Sequence, residues 1–168
     1  DEVRFEETLE KDLERRDFTV NAMALRLDAA GEYVLSGRRF TLIDLFGGLK
    51  DIRKKVIRAV GEPADRFKED ALRMMRAIRF SAQLGFSLEP KTQRGALKLA
   101  GSLKFVAKER IRDELIKIIA SDRPADGINA LYETKLLQYI VPELEQGIGV
   151  RQNHHHIYPV FKHNLLSL

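Results

Sequence analysis

From residue 63 onward the apolar residues recur every three or four positions, and Phe67, Ala71, Met74, Met75, Ile78 and Ala82 fall on one face of a helix turning by about 100° per residue. A stripe of that length must be buried against apolar partners, so the rest of the chain has to pack around it. The spacing predicts a helix over 65–84, stopped by Gly85, and further helices over 90–99, 107–120 and 124–139. Before residue 61 the texture differs. Residues 18–25 are rich in strand formers, a turn is expected at 28–32, a short return at 33–35, and a second strand at 40–44. Gly47-Gly48 breaks the chain before a helix over 49–55, and 56–60 reads as a last short strand. Leu9 and Leu13, four apart, suggest a helix near the start, while the polar stretch 142–158 reads as a linker into a final segment at 160–168. The pattern is α+β, predominantly α overall.

With 168 residues and 44% hydrophobic side chains the chain can bury real cores. No window approaches the uncharged apolar length of a membrane span, so no membrane partner is expected. The absence of cysteine excludes disulfides, thiolate zinc sites and cysteine nucleophiles, and fits a cytoplasmic protein. The first residues are neither a start methionine nor a basic leader, and the chain is expected to be part of something longer. A net charge of +4 permits a polyanionic partner without requiring one. The run from Lys50 to Arg58 holds five basic residues and one acidic, which suits either a solvated helix face or contact with phosphates.

Four short strings carry chemistry. In Arg15-Arg16-Asp17, guanidinium forks could grip phosphate oxygens while the carboxylate accepts a ribose hydroxyl, or all three could simply line a solvated strand entry. Asp44 precedes Gly47-Gly48, where a tight turn explains both glycines and exposed backbone N–H groups could also face an anion. Opposite the apolar stripe lie Arg66, Glu69, Asp70, Arg73 and Arg76, with Asp70 and Arg73 one helical turn apart. That pair is either an exposed ion pair or a protein template for a base. Cytosine and adenine present an amino donor beside an unprotonated ring nitrogen, whereas uracil and guanine present a carbonyl beside a ring N–H. An acceptor-only carboxylate next to a donor-only guanidinium therefore complements C and A and clashes with U and G. The fourth string, Glu109 to Glu114, lies on a helix with a core stripe of Ile111, Leu115, Ile118 and Ile119, and its charges read as ion pairs.

In order and spacing, Arg15-Arg16-Asp17-Phe18-Thr19-Val20-Asn21-Ala22, Asp44-Leu45-Phe46-Gly47-Gly48, Glu69-Asp70-Ala71-Leu72-Arg73 and Glu109-Arg110-Ile111-Arg112-Asp113-Glu114 resemble motifs B to E of the class II tRNA nucleotidyltransferases. This is the family of CCA-adding enzymes and bacterial poly(A) polymerases. The resemblance implies the residual sheet portion of a nucleotidyltransferase head over 1–60, a mainly helical, nucleotide-selecting and RNA-binding neck over 61–145, and over 146–168 a linker into an HD-like domain. It implies nucleotide-binding roles for Arg15, Arg16, Asp17, Asn21, Asp70, Arg73 and Arg76, and a structural hinge at Asp44, Gly47 and Gly48. ATP and CTP would be the substrates, tRNA the partner and Mg2+ the metal of the intact enzyme, with CMP and AMP added to the tRNA 3′ end. Two alternatives stand beside it: a bacterial poly(A) polymerase, and a non-catalytic nucleotide- or RNA-binding remnant.

The family holds its metal ions on an early D-x-D pair after a G-G-x-V-R-D string. These residues contain neither. No catalytic residue and no metal ligand are therefore expected here, and the chain alone is expected to be inactive. His163 would ligate a metal only ahead of a later His-Asp pair, and the triplet His154, His155, His156 reads as loop because consecutive side chains diverge.

Overall fold

A computed structural model describes residues 8–27, 30–35, 37–150 and 159–167. The expected turn at 28–32 lies partly outside them, and the three consecutive histidines lie wholly outside. Thr8 opens helix α1 (Leu9–Glu14) by accepting the amide of Lys11 on its hydroxyl, and the helix is pinned by Leu13, which is buried. Residues 18–25 do not form one strand. Thr19–Asn21 is a 3-10 turn, because the Thr19 hydroxyl donates to buried Asp51 at 2.8 Å and its amide donates to the Arg58 carbonyl at 2.9 Å, which pulls the backbone out of the extended form. Strand β1 (Met23–Leu27) follows, then β2 (Tyr33–Leu35) and β3 (Arg38–Asp44). β3 is central in an antiparallel sheet of order β1-β3-β2, with Met23 opposite Asp44 and Phe40 flanked by Leu27 and Tyr33.

Asp44 closes the sheet onto helix α2 (Gly48–Lys54): its carboxylate accepts the amides of Gly48 at 2.7 Å and Leu49 at 3.0 Å, two of the donors a helix start leaves unpaired. Gly47 takes the left-handed conformation at φ 75° that this joint requires. A Cβ on Gly48 would lie 2.2 Å from the Thr19 carbonyl oxygen, a backbone atom that cannot swing aside. Gly48→Ala is expected to lower stability by about 1–3 kcal/mol. Urea unfolding checks this, and an unshifted midpoint would mean the joint has slack.

Short strands β4 (Val56–Ile57) and β5 (Ser87–Leu88) pair in parallel and join this layer to the helices. The helix expected over 65–84 is two: α3 (Pro63–Glu69) and α4 (Leu72–Leu84). Asp70 between them is extended (φ −150°, ψ 107°), and its carboxylate accepts the amide of Leu72 at 3.0 Å. An aspartate that can cap a new helix competes with continuing the old one. The apolar stripe survives the break, since Phe67 of α3 and Met74, Met75 and Ile78 of α4 enter one core with Leu103, Ile118, Ile128, Leu131, Leu136 and Leu137. A second cluster sets Phe18 against Ile57 and Ala77, with the Phe80 ring edge-on at 5.8 Å.

Helices α5 (Pro90–Leu99) and α6 (Lys108–Ile119) lie where the spacing put them, with a 3-10 stretch, Ala100–Phe105, between. Glu89 caps α5. Burial would raise its pKa, but hydrogen bonds from the Thr92 and Lys91 amides outweigh that and hold it below the usual range. The helix expected to reach 139 ends earlier: α7 is Pro124–Glu133, because Lys135 turns left-handed (φ 57°) and the Leu136 amide folds back onto the Leu131 carbonyl. Within the expected linker, Pro142 starts a one-turn helix, α8 (Pro142–Glu145), and α9 (Val160–Leu166) follows. Among the described residues no helix is long and apolar enough to cross a membrane.

Candidate nucleotide site

Where α1 and the 3-10 turn meet the start of α4, a cavity of about 470 Å³ opens. Its wall carries Arg15, Arg16, Asp17, Asn21, Asp70, Arg73 and Arg76, all seven residues proposed from sequence for nucleotide binding. Asp12, Leu72 and Arg110 complete it. Five guanidiniums face three carboxylates, a formal excess of two positive charges in one concavity, which suits an anionic ligand with a polar body.

Each carboxylate is held differently. Asp17 is buried, and its Oδ1 accepts the Phe18 amide at 3.1 Å and the Asn21 side-chain amide at 3.4 Å, while its Oδ2 accepts Arg76 Nε at 2.6 Å. The 3-10 turn that replaced the expected strand is what folds Asn21 back onto Asp17. Asp70 gives Oδ1 to the Leu72 amide and Oδ2 to Arg110 at 2.7 Å. Asp12 takes Arg15 on Oδ1 and Arg16 on Oδ2, and these hydrogen bonds, Arg15's first, hold its carboxyl below the usual range.

Asp70 and Arg73 are not ion-paired with each other, contrary to the simple reading of their spacing. The break at Asp70 moves it off the helix face. Arg73 instead donates Nη1 to Glu69 at 2.6 Å and to the Arg66 carbonyl at 3.4 Å, and Nη2 to the Arg15 carbonyl at 3.2 Å. A guanidinium has five N–H donors, so two remain.

Asp44, Gly47 and Gly48 lie at the sheet–α2 joint and do not line the cavity. In the basic run, Asp51 is buried and accepts Arg58 at 3.0 Å, and Arg58 also faces Glu89 at 3.5 Å; Lys50, Arg53, Lys54 and Lys55 are exposed. The Arg112–Asp113 pair is exposed at 3.0 Å, as ion pairing along the fourth string predicts. Two charged wall residues, and Leu72 beside them, escaped the sequence reading. Arg110 lies forty positions from its partner, and no local pattern announces it. Asp12 did leave a signal, three and four positions before Arg15 and Arg16.

A Mg2+ site is not formed by these groups. All three aspartates are engaged by arginines, and among the described residues no three His, Asp or Glu side chains converge.

The fold and cavity define a small antiparallel sheet followed by a helical body, with an arginine-rich cleft where α1 and the 3-10 turn meet α4. Residues 1–58 match the family described as "Poly A polymerase head domain", and residues 85–148 match "Probable RNA and SrmB- binding site of polymerase A". The CCA-adding enzyme of Limosilactobacillus fermentum is 45% identical over 147 residues, covering 88% of this chain and 34% of the relative. That of Bacillus subtilis is 44% identical over 137 residues, covering 82% and 32%. Among solved structures, the Bacillus stearothermophilus CCA-adding enzyme in complex with CTP superposes with a TM-score of 0.74 at 39% identity, covering 86% of this chain and 34% of that one. The Thermotoga maritima CCA-adding enzyme complexed with tRNA-CCA gives 0.68 at 32% identity, covering 80% and 31%. The chain belongs to the class II tRNA nucleotidyltransferase and poly(A) polymerase family. It spans about a third of the length of the curated relatives it matches.

Proposed function

We propose that these residues bind ATP and CTP and select their bases within a CCA-adding enzyme, which extends the 3′ end of tRNA without a nucleic acid template. The observation that carries this reading is the single cavity in which Asp70 and Arg73 share a wall with Arg15, Arg16 and Asp17. Among the described residues each Asp70 oxygen accepts one hydrogen bond and keeps a lone pair for an amino group, while Arg73 keeps two donors for a ring nitrogen. Arg15, Arg16 and Arg76 would meet the phosphates, and Asp17 with Asn21 the ribose. The relatives are called CCA-adding enzymes, and solved structures of such enzymes hold CTP, ATP or tRNA, which supports the same reading.

The division into a head portion over 1–60, a neck over 61–145 and a following segment belongs to this proposal, as does a cytoplasmic place of action. The exposed lysines of α2 and its end suit contact with tRNA phosphates. Mg2+ would neutralise charge on the transferring phosphates in the intact enzyme. With no Asp-x-Asp in its 168 residues the chain is proposed to bind and select nucleotides without transferring them.

The test is equilibrium binding of all four ribonucleoside triphosphates to this chain. ATP and CTP are expected to bind more tightly than UTP and GTP, Arg73→Ala to weaken ATP and CTP by about 1–3 kcal/mol, and Asp70→Ala to erase the preference. Unchanged ratios in both variants would reduce the pair to structural ion pairing. Binding of ATP without CTP would favour the second reading, a poly(A) polymerase, to which the matched family descriptions point.

A further inference from the structure

Arg15 and Arg16 sit at the rim of the cavity with their side chains half exposed, just past the end of a six-residue helix. Long side chains in such a place lose much rotamer freedom when a ligand orders them. Asp12 gathers both beforehand. Its Oδ1 accepts Arg15 Nε at 2.9 Å and Nη2 at 2.6 Å, and its Oδ2 accepts Arg16 Nη2 at 2.9 Å.

The helix that carries Asp12 is itself fixed from below. Leu13 is fully buried, the Glu14 carbonyl accepts Arg66 Nη1 at 3.0 Å, and the Arg15 carbonyl accepts Arg73 Nη2 at 3.2 Å. A continuous line of contacts therefore runs from α3 and α4, through the carbonyls of Glu14 and of Arg15 just past α1, to Asp12 and on to both guanidiniums. The arginines still have donors to offer, since Arg15 commits one edge of its fork and Arg16 one nitrogen.

We propose that Asp12 is a positioning residue that presets Arg15 and Arg16 for the phosphates of the bound nucleotide. This rests on the cavity being the nucleotide site. It runs against plain electrostatics, because a carboxylate on the wall repels a polyphosphate. The two effects have opposite signs, so removing the charge separates them: lost presetting weakens anion binding, lost repulsion strengthens it.

The experiment is calorimetric titration of inorganic tripolyphosphate into the whole chain at low salt and neutral pH. Asp12→Asn should bind about tenfold more weakly than wild type, while Asp12→Glu, which keeps the charge, should stay within about threefold. Equal or tighter binding by Asp12→Asn overturns the proposal and leaves Asp12 a repulsive charge only. Failure of wild type to bind tripolyphosphate or ATP at all removes the cavity reading, and this proposal with it. A ligand-free check needs no variant to fold: the Arg15 Nε–H, which donates to Asp12, should resonate away from that of free arginine in wild type, and coincidence with free arginine overturns the proposal.

Discussion

Glu114→Ala is expected to lower the unfolding free energy by about 3–5 kcal/mol. Glu114 of α6 and Arg79 of α4 are 4% and 8% exposed and meet at 3.1 Å, with Lys117 at 3.1 Å on the same oxygen. Arg79 lies over the Phe80 ring, 4.3 Å from its centroid, so the guanidinium is boxed between an aromatic face and one carboxylate. Burial pulls the Arg79 pKa down and the charge of Glu114 pushes it back. Among the described residues Arg79 Nε and Glu114 Oε2 have no hydrogen-bond partner, so the pair is already short of full satisfaction. Taking away the carboxylate leaves a buried cation with almost nothing to answer it. The double variant Arg79→Met with Glu114→Leu should recover most of the loss, because both charges leave together and the volume is kept. Chemical denaturation of Glu114→Ala and of the double variant separates charge from packing. If Glu114→Ala unfolds at the wild-type midpoint, the pair does not brace α4 against α6.

Asp17→Asn is expected to cost about 30- to 100-fold in ATP and CTP affinity. The asparagine oxygen can still accept from the Phe18 amide and the Asn21 side chain, so the 3-10 turn has its main restraints. What disappears is the charge that holds Arg76 Nε at 2.6 Å and that would accept a ribose hydroxyl more strongly than a neutral amide does. Arg76 would then be free to swing toward the Phe80 ring, which its guanidinium already approaches at 5.7 Å. Fluorescence titration with a labelled nucleotide gives the change in Kd directly. An affinity within a factor of about two of wild type would show that Asp17 serves the turn and not the ligand.

The cavity was legible in the sequence to an unusual degree, because two strings with fixed spacing, together with Arg76 one turn past the second of them, supplied seven of its wall residues. Helix positions after residue 85 were legible for the same kind of reason: Pro90, Pro124 and Gly85 punctuate them. The break at Asp70 was not. Phe67, Ala71 and Met74 keep the three-to-four spacing straight through it, and periodicity reports burial rather than backbone continuity. The end of α7 was hidden because Lys135, not glycine, takes the left-handed position. Arg110 could not have been paired with Asp70 from a single sequence, since only the packing of α6 beside α4 brings them to 2.7 Å. Residues 18–25 misled through composition: their strand formers are real, but the Thr19 hydroxyl found a buried acceptor thirty-two positions away.

Arg66 and Arg73 grip α1 by its main-chain oxygens, at Glu14 and Arg15, and not by its side chains. A carbonyl is the same in every residue, so the grip is blind to what position 14 carries. Glu14, whose side chain is exposed, can drift through many substitutions without loosening the junction, whereas neither arginine can drift at all. Mutational freedom at this contact is therefore one-sided. A library randomised at both faces should return scattered residues at position 14 and a single residue type at 66 and at 73.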